Sequence, residues 1–185
     1  TRHESLRNRL MFALAYDSAL RREEVCSVQI EDIDPAHQLV RIRAENTKNR
    51  RERIVPYSTV TAELYAEYLA HRRHITRVRG ALFVSESRRN WGQPLSIWMW
   101  SKVVLQIART SEVPELSTHT LRHLCLTNLA RTGWDLHAIA QFAGHRSLQS
   151  TLRYIHLSGQ DLADQYQRTL ATVHPLTILN KVSKS

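Results

Sequence analysis

The chain has 185 residues, of which 42% are hydrophobic, so it can bury a core and is most simply one domain. Its formal net charge of +9 comes from 22 Arg and 4 Lys against 17 acidic residues, and this arginine-weighted excess favours a nucleic-acid backbone as the partner over mere solubility. The sequence has no apolar run of membrane-spanning length and no signal peptide, so we expect a cytoplasmic protein without a membrane partner. Cys26 and Cys125 lack metal-binding spacing and are expected to be buried free thiols.

The first elements are two predicted helices. Apolar residues between Leu6 and Leu20 recur at helical spacing, and the pattern ends near Asp17. A second helix begins just beyond, with Arg21 in its first turn and Glu24 three residues later on the same face. A helix start offers backbone N–H groups and a positive dipole end, and an arginine there adds two parallel donors for a phosphate. A simple Arg–Glu surface pair is the alternative for this segment on its own.

A β-hairpin is predicted next. Residues 39–43 and 53–56 have the composition of two short strands, and the polar turn between them runs from Asn46 to Arg51. The turn is basic and contains Lys48, which is the only lysine before residue 102. A lysine in a hairpin loop is usually a solvated side chain without a function, so composition alone assigns Lys48 no role.

The middle of the chain is expected to alternate helices and connecting segments. Apolar stripes predict helices over residues 60–71 and 96–110, and the run 82–84 has the composition of a buried strand. The connecting stretches are basic, and they are either solvated or in contact with a nucleic-acid backbone. Their paired arginines are Arg72, Arg73, Arg88 and Arg89.

Residues 117–154 are predicted to form three short helices, and one more helix is expected over residues 162–172. The expected capping residues and helix-ending glycines of the three are Ser117 or Thr118, Gly133, Asp135, Gly144 and Ser147.

Four side chains in these short helices have a chemistry in common. His119 and Arg122 are three residues apart on one helix face, so an imidazole and a guanidinium can converge on an anion. His145 and Tyr154 would flank the third helix beside the same place. Each residue alone is more often structural than functional. Together, a phenol, two imidazoles and an arginine suggest attack of a tyrosine oxygen on a phosphate.

The ordered set His119-x-x-Arg122, Gly144-His145 and Tyr154 nine residues later resembles the tyrosine recombinase, or phage integrase, family. Spacing and order both match. The resemblance implies an α+β, mainly helical fold, namely a DNA breaking-rejoining catalytic domain with a small antiparallel β-hairpin sheet. It would span residues 1–175, followed by a C-terminal tail over residues 176–185.

Two upstream segments extend the resemblance. Arg21 and Glu24 resemble the family motif that supplies the first catalytic arginine and an acidic residue that braces the site, although Ala19 stands where the family usually has glycine. We expect a slightly altered turn there and not the loss of Arg21. The basic hairpin tip resembles the loop that carries the family's catalytic lysine. Counted back from Arg53-Ile-Val-Pro, the matching position is Lys48.

The resemblance implies a role for each of these residues. Tyr154 would attack a DNA phosphodiester, Arg21 and Arg122 would bind its non-bridging oxygens, and His145 would donate a further hydrogen bond. His119 would accept the tyrosine proton or position the phosphate. The remaining implied roles are general acid for Lys48, support of the site for Glu24, and either support or simple packing for His123.

The resemblance also implies partners. We expect a homotetramer on double-stranded DNA, associated with the nucleoid, with no cofactor and no metal. The C-terminal segment would either exchange between subunits or pack on its own domain. The family's N-terminal core-binding domain is not expected in this chain, because residues 1–18 already match the first catalytic-domain helix; the chain would be a fragment or a minimal relative. The expected DNA contacts are Arg50, Arg51, Arg72, Arg73, Arg88 and Arg89.

Three other classes of protein are alternatives. A type IB topoisomerase shares this chemistry but does not exchange partners, and the short spacing from His145 to Tyr154 favours a recombinase. A non-catalytic DNA-binding module would need only the charge and would leave six matched positions to coincidence. A metallonuclease would need clustered carboxylates, whereas the acidic residues here are scattered.

Overall fold

The computed structural model describes residues 4–47 and 51–154. Within them the α-helices are α1 (Leu6–Asp17), α2 (Arg22–Ser27), α3 (Thr59–Ile75), α4 (Ile97–Thr110), α5 (Thr118–Arg131), α6 (Leu136–Ala143) and α7 (Gln149–Leu152). The strands are β1 (Ile33–Asp34), β2 (Leu39–Ile42) and β3 (Arg53–Pro56). The mainly helical α+β fold with a small antiparallel sheet is thereby confirmed. Predictions about Lys48, Arg50, the helix over residues 162–172 and the tail over residues 176–185 lie outside the described residues.

Helix α1 runs through the hydrophobic core and packs against α3 and α5. Its side chains Leu10, Met11 and Leu14 are almost fully buried. The turn after α1 contains Ala19, which is buried and has a φ of 46°, a left-handed conformation that residues other than glycine seldom adopt. The turn nevertheless leads directly to Arg21, which is the N-cap of α2 and lies one residue before its first turn.

The sheet has the strand order β1-β2-β3, with both pairs antiparallel. Val40 pairs with Val55 and Ile42 pairs with Arg53. Successive side chains of a strand point to opposite faces, so Arg53 shares a face with the buried Val55 while Ile54 lies exposed on the other. Strand β3 also contacts α6, which brings the hairpin next to the second of the three short helices predicted over residues 117–154.

The segment 82–84 is buried as expected, but the prediction that it forms a strand is wrong. Its ends make only isolated β-bridges, from Ala81 to Gln29 and from Val84 to Pro94. Arg72 supplies hydrogen bonds to backbone carbonyl groups that a neighbouring strand would otherwise bind. Its guanidinium donates to the carbonyl oxygens of Leu82, Ala81 and Val78 at 3.0, 2.7 and 3.0 Å.

The same contacts correct the prediction that Arg72 binds DNA. Helix α3 continues to Ile75, four residues beyond the predicted end, so Arg72 lies on the inner face of a helix and is 4% exposed. A guanidinium that is buried and bonded to three carbonyl groups is a structural residue.

The predicted capping is confirmed for α5 and α6, whereas the prediction that Ser147 caps the third helix is wrong. Ser117 accepts a hydrogen bond from the backbone N–H of Thr120, and Asp135 accepts from the backbone N–H groups of residues 137 and 138. Gly144 ends α6 with a φ of 63°. The N-cap of α7 is Leu148, and the hydroxyl of Ser147 accepts from the backbone N–H of Gln149 one residue outside the cap position. None of the helices within residues 4–47 and 51–154 has the length and apolarity to cross a membrane.

Candidate active site

Glu24 lies at the centre of a buried ion-pair network. Its side chain has no solvent exposure, and each carboxylate oxygen accepts two hydrogen bonds. Oε1 accepts from Nη1 of Arg21 and from Nη1 of Arg53, both at 2.9 Å. Oε2 accepts from the backbone N–H of Arg21 at 2.8 Å and from Nη2 of Arg53 at 2.7 Å. Burial alone would raise the pKa of Glu24, but these arginine and backbone hydrogen bonds lower it overall, so the group is a carboxylate at neutral pH.

Arg53 was missed as a site residue by the sequence analysis. Besides holding Glu24, its Nε donates to the carbonyl oxygen of Phe142 at 3.0 Å. The side chain also passes close beneath Gly144, where an added Cβ would lie 3.1 Å from Nη1 of Arg53. A signal was present in the sequence, because Arg53 is two residues from Val55 and therefore on the inward face of its strand. A charged residue on a buried face requires a charged partner, which here is Glu24.

Arg21 connects this network to the end of α6. Its Nη2 donates to the carbonyl oxygen of Gly144 at 3.2 Å, while Nη1 is bound to Glu24. The side chain remains 23% exposed, in contrast to 8% for Arg53. Each terminal guanidinium nitrogen carries two hydrogens, and within residues 4–47 and 51–154 each of these nitrogens of Arg21 makes one hydrogen bond, so one hydrogen on each can bind a ligand.

Arg122 is held in the same manner from the other side. Its Nη1 donates to the carbonyl oxygen of Ala19 at 2.5 Å and its Nη2 to that of Ala143 at 2.6 Å. Burial, together with the positive charge of Arg21, lowers its pKa to about 10, which leaves it protonated at neutral pH. Arg122 therefore ties the turn after α1 to the end of α6, and among the described residues it too uses only one hydrogen of each terminal nitrogen.

His145, Thr151 and Tyr154 surround the short helix α7. The Nδ1 atom of His145 lies 2.8 Å from Oγ1 of Thr151. The rings of His145 and Tyr154 are nearly parallel, at 8°, with centroids 6.2 Å apart. Burial, followed by the charges of Arg122 and Arg21, lowers the pKa of His145 to about 4, so its imidazole is neutral at neutral pH.

The two histidines predicted on α5 have different surroundings. His123 contacts the nucleophile candidate, with its ring centroid 5.1 Å from that of Tyr154. Burial and the nearby charge of Arg153 lower the pKa of His123. His119 is exposed at the first turn of α5, on the same side as His123 and one turn away.

The remaining predicted DNA contacts are solvent-exposed where they are described. They are Arg51, Arg73, Arg88 and Arg89. Arg51 lines a cavity of about 1140 Å³ between β3 and α6, together with Trp134, Gln141 and Arg146. The cavity reaches His145, so Arg51 and Arg146 lie beside the candidate active site. Among residues 4–47 and 51–154, no group of three or more His, Cys, Asp or Glu side chains is arranged to hold a metal ion.

The chain belongs to the phage integrase family, that is, to the tyrosine recombinases, because the family model matches residues 1–161. The XerC tyrosine recombinase of Thermodesulfovibrio yellowstonii is 33% identical over 175 residues, covering 92% of this chain and 56% of that protein. Transposase A of transposon Tn554 from Staphylococcus aureus is 31% identical over 172 residues, covering 89% of this chain and 47% of that protein. The chain therefore spans about half the length of these relatives.

Solved structures share the fold. The crystal structure of XerA recombinase superposes with a TM-score of 0.73 at 23% identity, covering 89% of this chain and 57% of that chain. The XerH site-specific recombinase, solved in a pre-cleavage complex with its difH substrate, superposes with a TM-score of 0.71 at 24% identity, covering 89% of this chain and 48% of that chain. At these identities the likeness shows the fold alone.

Proposed function

We propose that this chain carries the catalytic centre of a site-specific DNA recombinase, in which Tyr154 cleaves and rejoins DNA strands. The strongest support is the convergence of distant residues on the end of α6. Arg21 donates to the carbonyl oxygen of Gly144 and Arg122 donates to that of Ala143, while His145 follows directly and stacks beside Tyr154. Hydrogen-bond donors and a phenol are thus gathered around one small volume, which is the arrangement that attack on a phosphate requires.

In the proposed reaction, the phenolic oxygen of Tyr154 attacks the phosphorus of a DNA phosphodiester, and the bond from phosphorus to the 5′ oxygen breaks. The products are a 3′-phosphotyrosyl link and a free 5′-hydroxyl group. The link keeps the phosphate esterified, so a 5′-hydroxyl from another strand can displace Tyr154 without an external energy source. The tyrosine proton passes to His119 or to solvent, and Lys48 protonates the leaving oxygen.

Two guanidinium groups and one imidazole stabilise the charge that develops on the phosphate. Arg21 and Arg122 use the hydrogens that remain on their terminal nitrogens to bind the two non-bridging oxygens, and His145 donates a third bond. Glu24 keeps Arg21 oriented, and His123 packs on the ring of Tyr154. The arginines supply the positive charge, so the reaction as proposed needs no metal and no cofactor.

The proposed substrate is double-stranded DNA within the bacterial nucleoid. Exposed arginines of the described surface, Arg51, Arg73, Arg88 and Arg89, would contact its phosphates. XerH was solved on a DNA substrate, which supports the choice of ligand class. We propose in addition that four subunits assemble on DNA and that the C-terminal segment passes between neighbours.

The test of this function is a covalent adduct. The chain, together with any neighbouring domain it has in the full-length protein, is incubated with nicked suicide substrates prepared from candidate genomic DNA. Wild type should form a denaturant-resistant adduct, and Tyr154→Phe should bind the DNA but form none. An adduct formed by Tyr154→Phe would contradict the assignment of the nucleophile. The same assay in a chelator tests the metallonuclease alternative, since loss of cleavage that a divalent ion restores would overturn the metal-independent reaction.

A further inference from the structure

The hydroxyl group of Thr151 contacts the imidazole of His145 and not a carbonyl group of its own helix. Helical threonines can donate to a carbonyl group three or four residues earlier, as Thr110 does in α4, or to a group outside the helix, as Thr61 does to Asp17. Thr151 is fully buried, and its Oγ1 instead lies 2.8 Å from the ring nitrogen Nδ1 of His145. The contact therefore joins a fully buried hydroxyl group to the imidazole of the candidate active site.

The direction of this hydrogen bond determines what His145 can do. A neutral imidazole has one N–H group, carried either on Nδ1 or on Nε2. If Nδ1–H donates to Thr151, then Nε2 is an acceptor and repels a phosphate oxygen. If the hydroxyl of Thr151 donates to Nδ1, then Nε2 carries the hydrogen and can donate to that oxygen.

We propose that Thr151 is a positioning residue that donates its hydroxyl hydrogen to Nδ1 of His145 and so holds the imidazole in the Nε2–H form, ready to donate to the phosphate. This inference rests on the proposed function, since it assigns His145 to a non-bridging oxygen. Because the imidazole is neutral at neutral pH, its tautomer decides whether it donates or accepts.

Thr151 also couples this tautomer to the nucleophile. Its carbonyl oxygen accepts the backbone N–H of Tyr154 at 3.0 Å, while its own N–H donates to the carbonyl oxygen of Leu148 at 2.8 Å. One buried residue therefore orients both the ring of His145 and the backbone of Tyr154. The four-residue helix α7 gives Thr151 this position, because it places the side chain towards the ring and the carbonyl towards the next turn.

The experiment compares Thr151→Val with Thr151→Ser. Valine keeps the shape of threonine but has no hydroxyl group, whereas serine retains the donor. In Thr151→Val, single-turnover formation of the phosphotyrosyl adduct should slow by about 10²-fold, as expected for the loss of one transition-state donor, with DNA affinity nearly unchanged. Thr151→Ser should retain most of the rate. Ser150→Ala, which changes the neighbouring hydroxyl, is the matched control and should cleave like wild type.

A spectroscopic measurement tests the tautomer directly. Nitrogen-15 NMR of histidine-labelled protein, assigned by comparison with His145→Gln, should show hydrogen on Nε2 of His145 in wild type and in Thr151→Ser. In Thr151→Val the hydrogen should redistribute towards Nδ1. Hydrogen on Nδ1 in wild type, or an unchanged cleavage rate in folded Thr151→Val, would overturn the proposal. The tautomer is read from wild-type protein, with His145→Gln needed only to assign the signal, and failure of wild type to form any adduct would instead refute the proposed function.

Discussion

At the scale of single residues, His145 shows how a site rich in arginine controls protonation. Burial and the charges of Arg122 and Arg21 oppose a further positive charge, so the pKa of the imidazole falls to about 4. A charged His145 would add attraction for DNA. In a neutral His145, the proposed hydrogen bond from Thr151 can instead determine which ring nitrogen carries the hydrogen. The site thus places fixed positive charge on arginine and directional hydrogen bonding on histidine.

The lowered pKa of His145 makes the stability of the protein depend on pH. Between its ordinary pKa of 6.5 and the folded value of about 4, the unfolded chain binds a proton that the folded chain does not. The free energy of unfolding is therefore unaffected by this group above pH 6.5 and decreases as the pH falls towards 4. Urea unfolding at several pH values should show a flatter decline for His145→Asn than for wild type.

Two other groups contribute to this pH dependence and need their own controls. His123, whose pKa is also lowered, acts in the same direction, so His123→Asn separates its contribution. Glu24 acts in a more acidic window, because its pKa is lowered from 4.5 in the folded chain. The stability that it contributes is complete above pH 4.5 and is lost as the pH falls below that value. An identical slope in wild type and His145→Asn between pH 6.5 and 4.5 would contradict the neutral imidazole.

At the scale of elements, strand β3 joins the hairpin to both α2 and α6. Arg53 makes the connection, because it holds Glu24 with two hydrogen bonds and the carbonyl oxygen of Phe142 with a third. Glycine at position 144 permits Arg53 to approach the backbone closely, because an added Cβ would lie only 3.1 Å from Nη1 of Arg53. Glycine also adopts the positive φ at this position without strain. The hairpin is therefore anchored to the same α6 terminus that Arg21 and Arg122 contact.

Removal of Arg53 should leave a buried negative charge without its main partner. Arg53→Met is expected to lower the free energy of unfolding by about 3–5 kcal/mol, as the breaking of a buried ion pair does elsewhere. Arg51→Met is the matched control on the same hairpin, and because Arg51 is exposed it should change stability by no more than about 0.5 kcal/mol. Equal effects of the two substitutions, measured by denaturant unfolding, would show that the Glu24 network does not stabilise the fold.

The loop between β2 and β3 carries Lys48, whose proposed role follows from the family resemblance. An alkoxide is a poor leaving group near neutral pH, so cleavage needs a proton donor at the 5′ oxygen. Lys48→Ala should therefore block cleavage of ordinary DNA, and a substrate with sulfur at the 5′ bridging position should restore it, because a thiolate leaves without protonation. Arg21→Ala should show no comparable rescue. Lack of rescue in an inactive Lys48→Ala would rule out the general-acid role.

At the scale of the whole molecule, one chain brings together the proposed nucleophile and the groups proposed to bind its target phosphate. Tyr154 stacks on His145 of the same chain, and the segment before His145 accepts hydrogen bonds from Arg21 and Arg122 of that chain. An assembly on DNA would then contain complete active sites and not sites shared between subunits.

This arrangement predicts that cleavage occurs in cis. When Tyr154→Phe and Arg21→Ala are mixed on a suicide substrate, neither subunit type has a complete site, so the adduct should remain at the level of the inactive variants. The control is a mixture of wild type with Tyr154→Phe, in which the adduct should fall in proportion to the wild-type fraction. Recovery of cleavage in the mixture of two inactive variants would mean that Tyr154 acts in the site of a neighbouring subunit.

Much of this organisation follows from local features of the sequence. Helix caps such as Ser117 and Asp135, and the helix end at Gly144, depend on a few neighbouring residues, so their positions could be read from the chain. The two strands of the hairpin followed from composition in the same way. The ordered motif from Arg21 to Tyr154 identified the family, because both residue type and spacing survive in a linear sequence.

The tertiary structure alone decided which polar groups are paired in the interior. Arg53 and Glu24 are 29 residues apart, and Arg122 and Ala19 are 103 apart, so no local pattern joins them. Arg72 is a further case in which sequence alone does not identify the partner. Its charge suggests a DNA contact, but helix α3 directs the side chain towards three carbonyl groups. Composition shows that arginines are present, but burial determines their role, because a buried guanidinium must find its partners within the fold.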